Sequence, residues 1–437
     1  MQNKYHLQCK QCNYITPNLE AWFEQGQKCP KCHSKWSEAW YESDYKQLLE
    51  LIKTPAKSLW HYFPFLPLMS EKHIISKNEG TVPIERWTFL EEFAKKQYGL
   101  NINVHVCRND LNGGTGTFKD LGGTMAASVF SEIGIKQYCI ASTGNSATAY
   151  SKYLSLANIS CSVFMPKDTI KASEATISAC GQQVFRVMGD YAKAKEIAAD
   201  YSKAHNIPMS IGNVDPIRVE AKKTMVFEWL RQMDKFPDVY IQSVSGGTGP
   251  IAIDKGVREA STVFPELKNP RMLLVQSSGC DPMVQAWGKA ESEGFPEGFE
   301  KVYPIIENPK TDVPTLATGH PYNYPILAKL VKNSGGSFVR MQESKLVPVG
   351  KLVAYEQGVL LGPASVVCVA GFFNALKENL IKNGETVLLN TGEGINRAPE
   401  FLQQMVYTTR DVHHVEECSP HSIDDFRAQL WEDAVMR

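Results

Sequence analysis

The stretch from Asn112 to Asp120 reads Asn-Gly-Gly-Thr-Gly-Thr-Phe-Lys-Asp and places Lys119 directly after a turn rich in glycine and threonine. In a packed, partly dry setting the pKa of a lysine ammonium falls, and the free amine can then attack an aldehyde. Lys119 is therefore a candidate for carrying an aldehyde cofactor. Glycine loops are common and most lysines are solvated, so this interpretation depends on other segments that supply the remaining parts of such a site.

Two further segments place a polar turn after a strand-like apolar run. Residues 142–147 follow the run 137–141, and the amide of Asn145 in that turn can donate a hydrogen bond to a phenolate oxygen. Residues 245–250 follow the run 239–244. The backbone N–H groups of this second turn would cradle a phosphate at a helix N-terminus, through Gly246, Gly247, Thr248 and Gly249. The turn lacks the Walker lysine and does not match GxGxxG, which disfavours nucleotide binding.

A fourth segment, residues 389–394, follows the strand-like residues 386–388. A hydroxyl such as that of Thr391 can bond a pyridine nitrogen without protonating it, which suits elimination and replacement better than transamination. The four segments together supply an amine, a donor to a phenolate, a phosphate cradle and a pyridine partner. The sequence therefore predicts pyridoxal 5'-phosphate (PLP) as the cofactor and Lys119 as the catalytic residue.

Four cysteines near the N-terminus form two CxxC pairs: Cys9, Cys12, Cys29 and Cys32. This spacing predicts one zinc ion bound by four thiolates, and a closed shell of this kind is structural rather than catalytic. We interpret residues 1–40 as a zinc ribbon that aids packing or assembly, with a partner-binding role as the alternative. Other cysteines lie in apolar surroundings and are expected to be buried thiols: Cys107, Cys139, Cys161 and Cys368.

Composition indicates an ordinary soluble enzyme. The chain has 437 residues, with 46 Lys and Arg against 47 Asp and Glu, so a nucleic-acid partner is not implied. No apolar run is long enough to span a bilayer, and the first residues are not followed by a signal-peptide core, so we expect no membrane partner and a cytoplasmic location.

Strand-like and helical runs alternate from about Asn103 onward, which predicts an α/β fold with largely parallel sheets. The expected strands are 102–106, 138–141, 161–165, 183–187, 239–244 and 272–275, and 191–204 is expected to be an amphipathic helix. Residues 41–68 are predicted to be a polar helical linker broken by prolines. The tail after about Ala398 is predicted to be solvated, with a metal site at its His413, His414, Cys418 and His421 as the less favoured alternative.

The four segments resemble those of the fold-type II PLP enzymes, and of threonine synthases in particular. Residues 112–122 stand where that family has Asn-Pro-Thr-Gly-Ser-Phe-Lys-Asp-Arg-Gly, with Leu121 in place of its arginine. Residues 213–224, Asn-Val-Asp-Pro-Ile-Arg-Val-Glu-Ala-Lys-Lys-Thr, resemble the family's Asn-Pro-x-Arg-x-Glu-Gly-Gln-Lys-Thr. Further similarities lie at 58–63, 78–83, 314–318 and 362–365.

The resemblance implies a domain organisation and an assembly. Residues 41–136 and 213–437 would form the large PLP-binding domain, and 137–212 a small mobile domain that closes over the substrate. The cofactor would lie in the cleft between them, and a homodimer is usual for this fold. Some threonine synthases and their relatives also have a similar cysteine-containing N-terminus.

The resemblance also implies a phosphorylated amino-acid substrate, O-phosphohomoserine, which is converted to threonine and phosphate. Ser146 would lie near the substrate, and Arg218 would offer a guanidinium to an anion. Asp215 replaces a family asparagine near the substrate phosphate, which a carboxylate would repel unless Arg218 neutralised it. The segment 167–174 and Gly362 also depart from the family pattern, so the substrate end of the site is divergent.

Three alternatives remain open within and outside this family. A cysteate synthase-like replacement of the phosphate of O-phosphoserine by sulfite needs a similar site, although Asp120 stands where that family usually has glutamate. A dehydratase or ammonia-lyase would use the same Lys119. A zinc-ribbon binding module with a degenerate enzyme body, or a paralogue that keeps PLP without turnover, would belong to another functional class.

Overall fold

The protein was analysed as a computed structural model that describes residues 4–405, 409, 411–420 and 422–436. The strands are β1 Tyr5–Cys9, β2 Ile15–Thr16, β3 Ser37–Tyr41, β4 Ile84–Arg86, β5 Asn103–Arg108, β6 Gln137–Ala141, β7 Ser160–Pro166, β8 Gln183–Val187, β9 Val239–Ser243, β10 Arg271–Ser277, β11 Ser337–Met341 and β12 Thr386–Thr391.

The α-helices are α1 Leu19–Glu24, α2 Gln47–Leu51, α3 Thr88–Tyr98, α4 Asp120–Ile133, α5 Asn145–Leu156, α6 Lys171–Ala179, α7 Tyr191–His205, α8 Pro216–Met233, α9 Thr248–Ala260, α10 Pro282–Ser292, α11 Tyr324–Ser334, α12 Leu346–Gln357, α13 Pro363–Lys377, α14 Pro399–Gln404 and α15 Ile423–Trp431. The predicted α/β fold is confirmed. All the strands expected from the alternating pattern are present, with ends that shift by one or two residues, whereas β4 and β11 were not anticipated.

A six-stranded sheet forms the centre of the molecule, in the order β11-β10-β9-β12-β5-β4. Its strands are parallel except for β4, which pairs antiparallel with β5. Strand β9 is buried along its whole length, and so is β12, because helices cover both faces of the sheet. The long apolar runs that mark these strands in the sequence follow from this burial.

A second, three-stranded parallel sheet has the order β6-β7-β8 and is flanked by α5, α6 and α7. It has its own small apolar cluster, in which Phe164 stacks on Phe185 with ring centroids 4.8 Å apart. Helix α7 begins with Asp190 as N-cap, whose side chain accepts from the backbone N–H of Lys193, and ends at Asn206 in the left-handed conformation. All three strands lie between residues 137 and 187, within the range predicted for the small domain.

The N-terminal residues form a third sheet, antiparallel and in the order β2-β1-β3. Strand β3 lies against α8 and contacts a buried carboxylate of that helix. The Glu220 side chain accepts from the backbone N–H of Ala39 and from the Tyr41 hydroxyl, both at 2.8 Å. The ribbon is therefore fixed to one of the long helices of the enzyme body.

Two expectations are corrected by the structure: the polar linker at residues 41–68, and the solvated tail beyond Ala398. Residues 41–68 are not a polar linker: the chain forms the short α2 and a 3₁₀ helix at Leu59–Phe65, and Leu59, Tyr62 and Phe65 are fully buried. Apolar side chains between the prolines fill the space between the ribbon and the rest of the protein. The positions of the prolines had indicated only breaks in a helix and gave no sign of this packing.

The tail beyond Ala398 is not simply solvated. Leu430 of α15 is buried, and Trp431 stacks on Phe93 with ring centroids 5.0 Å apart. His413, His414 and Cys418 are exposed, and His421 lies outside the described residues. Within the described part of the chain, no helix is long and apolar enough to cross a membrane.

Candidate active site

Three of the four predicted segments meet because their strands are neighbours. In the order β9-β12-β5, each strand is parallel to the next, so their carboxyl ends open at one edge of the sheet. The glycine turn at 245–249 follows β9, residues 392–394 follow β12, and the loop carrying Lys119 follows β5. Ligands of open parallel sheets bind at this edge. The fourth segment reaches the same place from the end of β6 in the small sheet.

A cavity of about 620 Å³ lies at this edge and is lined by residues from all four segments. That volume is within the range of cofactor and substrate sites, roughly 300–1,000 Å³. The predicted residues that line it are Lys119, Asn145, Ser146, Arg218, Gly246, Gly247, Thr248 and Gly249. The fold therefore brings together residues that lie up to 130 positions apart.

Lys119 is held at the cavity by the loop that precedes it. The carboxylate of Asp120 accepts from the backbone N–H of Thr115 at 3.0 Å and of Thr117 at 3.1 Å, which fixes the turn. Lys119 is half-buried and its exposed part faces the cavity. Burial lowers the pKa of Lys119 to about 8; the carboxylate of Glu393 opposes this shift, and the guanidinium of Arg218 adds to it. At neutral pH the fraction of free amine is therefore much larger than for an ordinary lysine, which suits a nucleophile.

The glycine turn fits a phosphate group. Helix α9 begins after Gly247, which has φ 91° and gives no side-chain cap, so the first N–H groups of the helix have no intrahelical acceptor. A β-carbon on Gly246 would lie 2.0 Å from the Asn213 amide nitrogen, and one on Gly249 would lie 2.4 Å from the Gln242 amide. Only glycine leaves the backbone of this turn open to an anion, as PLP requires.

Asn145 begins α5 and lies between two charged side chains of the segment that follows β12. Its amide nitrogen donates to the Glu393 carboxylate, and its amide oxygen accepts from Arg397 Nε at 3.2 Å. Arg397 also donates to Thr148 at 2.9 Å and to Ser173 at 3.0 Å. The Asn145 amide is thus oriented at the cavity, although a phenolate oxygen would have to share its N–H groups with Glu393.

Thr391 ends β12 and is fully buried. The single proton of its hydroxyl has two acceptors in reach, the Cys107 carbonyl at 2.8 Å and the Asp110 carboxylate at 3.0 Å. Within the described part of the chain, Thr391 is not one of the residues that line the cavity. Its role as partner of a pyridine nitrogen stays a prediction.

Two of the three residues expected near the substrate lie at the start of α8. Arg218 lines the cavity and donates to Ser210 at 2.6 Å and to Tyr150 at 3.2 Å. Asp215 is the N-cap: one carboxylate oxygen accepts from the Ile217 N–H at 3.0 Å, and the other has no partner among the described residues. Burial raises the pKa of Asp215, although Arg218 opposes that shift. Asp215 does not line the cavity, so its repulsion of an anion is weaker than the sequence suggested.

The cavity also contains charged residues to which the sequence gave no role. Lys222 lies one helical turn beyond Arg218, and a search at i+4 spacing along α8 would have found it. Glu393 lies inside a segment that was already recognised. At the mouth, Lys195 packs between the rings of Tyr191 and Tyr322, 4.7 and 4.5 Å from their centroids. No sequence signal would have found these mouth residues, since they come from α7 and from an irregular loop.

The four ribbon cysteines converge as predicted. Their sulfur atoms all lie within 4.8 Å of one another, with Cys9–Cys32 and Cys12–Cys29 at 3.5 Å. A tetrahedral zinc with bonds of about 2.3 Å places its sulfurs roughly 3.8 Å apart, so the cluster fits the ion. It is the only such group of metal ligands among the described residues.

Known proteins match both the sequence and the fold. The sequence profile described as pyridoxal-phosphate dependent enzyme matches residues 75–392. The chain is 28% identical over 391 residues to the threonine synthase of Methanocaldococcus jannaschii, covering 84% of this chain and 92% of that protein. It is 27% identical to the threonine synthase of Methanosarcina acetivorans, covering 91% and 93%.

The solved structure of the processed form of threonine deaminase isoform 2 from Solanum lycopersicum has a TM-score of 0.59 at 20% identity, over 80% of this chain and 94% of that one. This likeness concerns the fold, whereas the sequence profile covers well over half of the chain and includes Lys119 and the glycine turn. The chain belongs to the pyridoxal-phosphate dependent enzyme family, as a threonine synthase-like member that uses PLP as its cofactor.

Proposed function

We propose that this enzyme converts O-phosphohomoserine to threonine and phosphate. The observation that carries the proposal is the position of Arg218, a buried guanidinium that lines the cavity together with Lys119 and the glycine turn. The turn is occupied by the cofactor phosphate when PLP is bound, so Arg218 is available for a second anion. The names of the two archaeal relatives, both threonine synthases, support the same substrate.

Each residue has a defined task in this proposal. PLP, when bound through Lys119, supplies an electron sink for the α-carbanion of an amino acid. Lys119 Nζ lies at the cavity where it would take the substrate α-proton, and its lowered pKa suits a general base. Asn145 and the N-terminus of α9 orient the cofactor, with Gly246, Gly247, Thr248 and Gly249 at its phosphate.

The substrate end is proposed to be formed by Arg218 and Ser146. Arg218 pairs with the substrate phosphate and keeps it aligned until it leaves. Ser146 is half-buried at the cavity, one residue after Asn145, and offers a hydroxyl. Thr391 as pyridine partner and Asp215 as the helix cap that precedes Arg218 complete the proposed set.

We propose that residues 137–212 move as a small domain against 41–136 and 213–437, with 1–40 as the zinc ribbon. The separate apolar cluster of the small sheet, around Phe164 and Ala194, supports this. A cytoplasmic location and a homodimer belong to the same proposal. Light scattering on the purified protein tests the dimer.

The direct test is to supply PLP-loaded enzyme with O-phosphohomoserine and to measure phosphate and threonine together. Equal amounts of both are expected. Lys119→Arg keeps the positive charge but cannot bind the cofactor aldehyde, so it should lose turnover. Phosphate released from O-phosphoserine with sulfite, but not from O-phosphohomoserine, would support the cysteate synthase-like alternative. Turnover by the Lys119→Arg variant would contradict the whole assignment.

A further inference from the structure

One face of α8 carries three charged residues in succession. Asp215, Arg218 and Lys222 are spaced at i, i+3 and i+7, which places them one above another on a helix. Arg218 and Lys222 both line the cavity, and they are 7% and 3% exposed. Two cations one turn apart repel each other, and burial removes the water that would screen them.

Apart from its side towards the cavity, Lys222 is surrounded by Phe118, Gly122 and Tyr150. Its ammonium lies 5.7 Å from the centre of the Phe118 ring, and 3.3 Å from where a β-carbon on Gly122 would stand. No hydrogen bond or ion pair to Lys222 occurs within the described part of the chain. Lys223, the next residue, instead forms ion pairs at 2.8 Å with Glu220 and at 2.7 Å with Glu259.

A buried ammonium without an acceptor raises the free energy of the folded protein. Two changes remove this penalty: loss of the proton, or binding of an anion. The charged and titratable groups that face Lys222 are Arg218 and Asp215 on α8, Lys119 before α4 and Tyr150 on α5. Burial lowers the pKa of Lys222 well below its ordinary value; Arg218 and Lys119 lower it further, and Asp215 opposes them.

We propose that Lys222 and Arg218 form a dianion subsite in which Lys222 is neutral when the subsite is empty and takes a proton from solvent as the dianion binds. Two positive charges match a phosphate monoester, which carries nearly two negative charges at neutral pH. Both residues belong to α8, whereas the cofactor phosphate is assigned in the proposed function to the N-terminus of α9. Lys222 is thus a specificity-determining residue for a phosphorylated substrate over an uncharged one.

This inference deepens the proposed function, but its test needs no turnover. Sulfate is a suitable probe, because it stays a dianion throughout neutral pH and cannot itself supply or take the proton. Calorimetric titration of the PLP-loaded enzyme with sulfate, in two buffers of different ionisation enthalpy, measures both affinity and the number of protons taken up. The parent enzyme is expected to take up close to one proton per sulfate.

Two substitutions separate charge from proton uptake. Lys222→Met should weaken sulfate binding by about tenfold to a hundredfold, as for loss of one charge-assisted hydrogen bond, and should abolish proton uptake. Lys222→Arg should retain affinity without proton uptake, because a guanidinium is charged in both states. Lys193→Met removes an exposed lysine from α7 and should change neither quantity. Cofactor absorbance checks that each variant is folded.

The outcomes distinguish this inference from the proposed function. If O-phosphohomoserine yields no phosphate but sulfate binding still depends on Lys222, the subsite stands and the substrate is a different anion. If turnover proceeds and Lys222→Met binds sulfate like the parent, the subsite is refuted and the function stands. Sulfate binding by the parent enzyme without proton uptake would also refute the proposed subsite.

Discussion

Glu220 joins the zinc ribbon to the helix that carries Arg218, and its replacement by glutamine should destabilise the protein severely. Its carboxylate pairs with Lys223 at 2.8 Å and with Lys255 at 3.3 Å, and it also accepts from Ala39 and Tyr41 of β3. Glu220, Lys223, Lys255, Ala39 and Tyr41 are all buried. Glutamine leaves each lysine paired with the Glu259 carboxylate alone, although Lys255 keeps its bond to the Ala39 carbonyl, and it offers only one acceptor oxygen to β3.

The size of the expected loss in stability follows from the burial of the ion pairs. Removing one partner of a buried pair costs about 3–5 kcal/mol, whereas an exposed pair contributes about 0.2–1 kcal/mol. The chain contains a matched control: Lys193 and Glu196 are also three residues apart on a helix and also 2.8 Å apart, but their side chains are 49% and 60% exposed. Glu220→Gln should therefore lose several times more stability than Glu196→Gln.

The assay is urea unfolding of the parent, Glu220→Gln and Glu196→Gln at fixed zinc and PLP concentrations, because bound ligands stabilise the folded state by mass action. Burial raises the pKa of Glu220, but Lys223 and Lys255 outweigh burial and the net pKa is lowered. The contribution is therefore present above pH 4.5, the ordinary value, and is lost as the pH falls through the lowered value in the folded protein. The parent and Glu220→Gln should converge in stability under acid conditions.

A second readout locates the effect. Because Glu220 holds β3, Glu220→Gln should release zinc to a colorimetric chelator faster than the parent does, and Glu196→Gln should not. Equal, small losses of stability in both variants would refute the reasoning, because they would mean that the buried network contributes no more than a surface ion pair.

Three further predictions concern the site and the ribbon. The rate at which PLP attaches to the apoenzyme should rise with pH and reach half its maximum at about 8, because the pKa of Lys119 is lowered to that value and only its free amine reacts; stopped-flow absorbance measures this. Asp215→Asn should change kcat/KM by less than about threefold, since asparagine caps a helix as well as aspartate, and a large loss in steady-state assays would show that the carboxylate has a direct role. Cys9→Ser should lower zinc content and the free energy of unfolding more than turnover per bound PLP, which metal analysis beside kinetics can contradict.

The sequence identified much of the fold and the cofactor end of the site because these depend on local patterns. The turns at 142–147 and 245–250 follow apolar strands, and 389–394 spans the end of another, β12. Parallel strands necessarily open at one edge. The CxxC pairs likewise determine a cluster, since two residues between thiols already bring them close. In such segments the residues that bind the cofactor or metal lie within about ten consecutive positions, so the sequence alone identifies them.

Other features depended on contacts between distant parts of the chain. The contact from Glu393 to Asn145 joins residues 248 positions apart, and the burial of 41–68 depends on the body it packs against. Thr391 has the predicted position at a strand end, but its hydroxyl is taken by Cys107 and Asp110. Pairings of this kind depend on how helices and sheets pack, which no local pattern records.

Helix α8 shows most clearly which features are local in the sequence and which depend on the tertiary structure. Asp215 as N-cap, Pro216 at the first helical position and the four-residue spacing of Arg218 and Lys222 are local signals for this helix and for one shared face. Only the tertiary structure decided that Lys222 is buried without a partner while Lys223, its neighbour, is paired with Glu220. The physical reason is that a lysine's charge state depends on the water and the carboxylates around it, and those are set by elements far away in the chain.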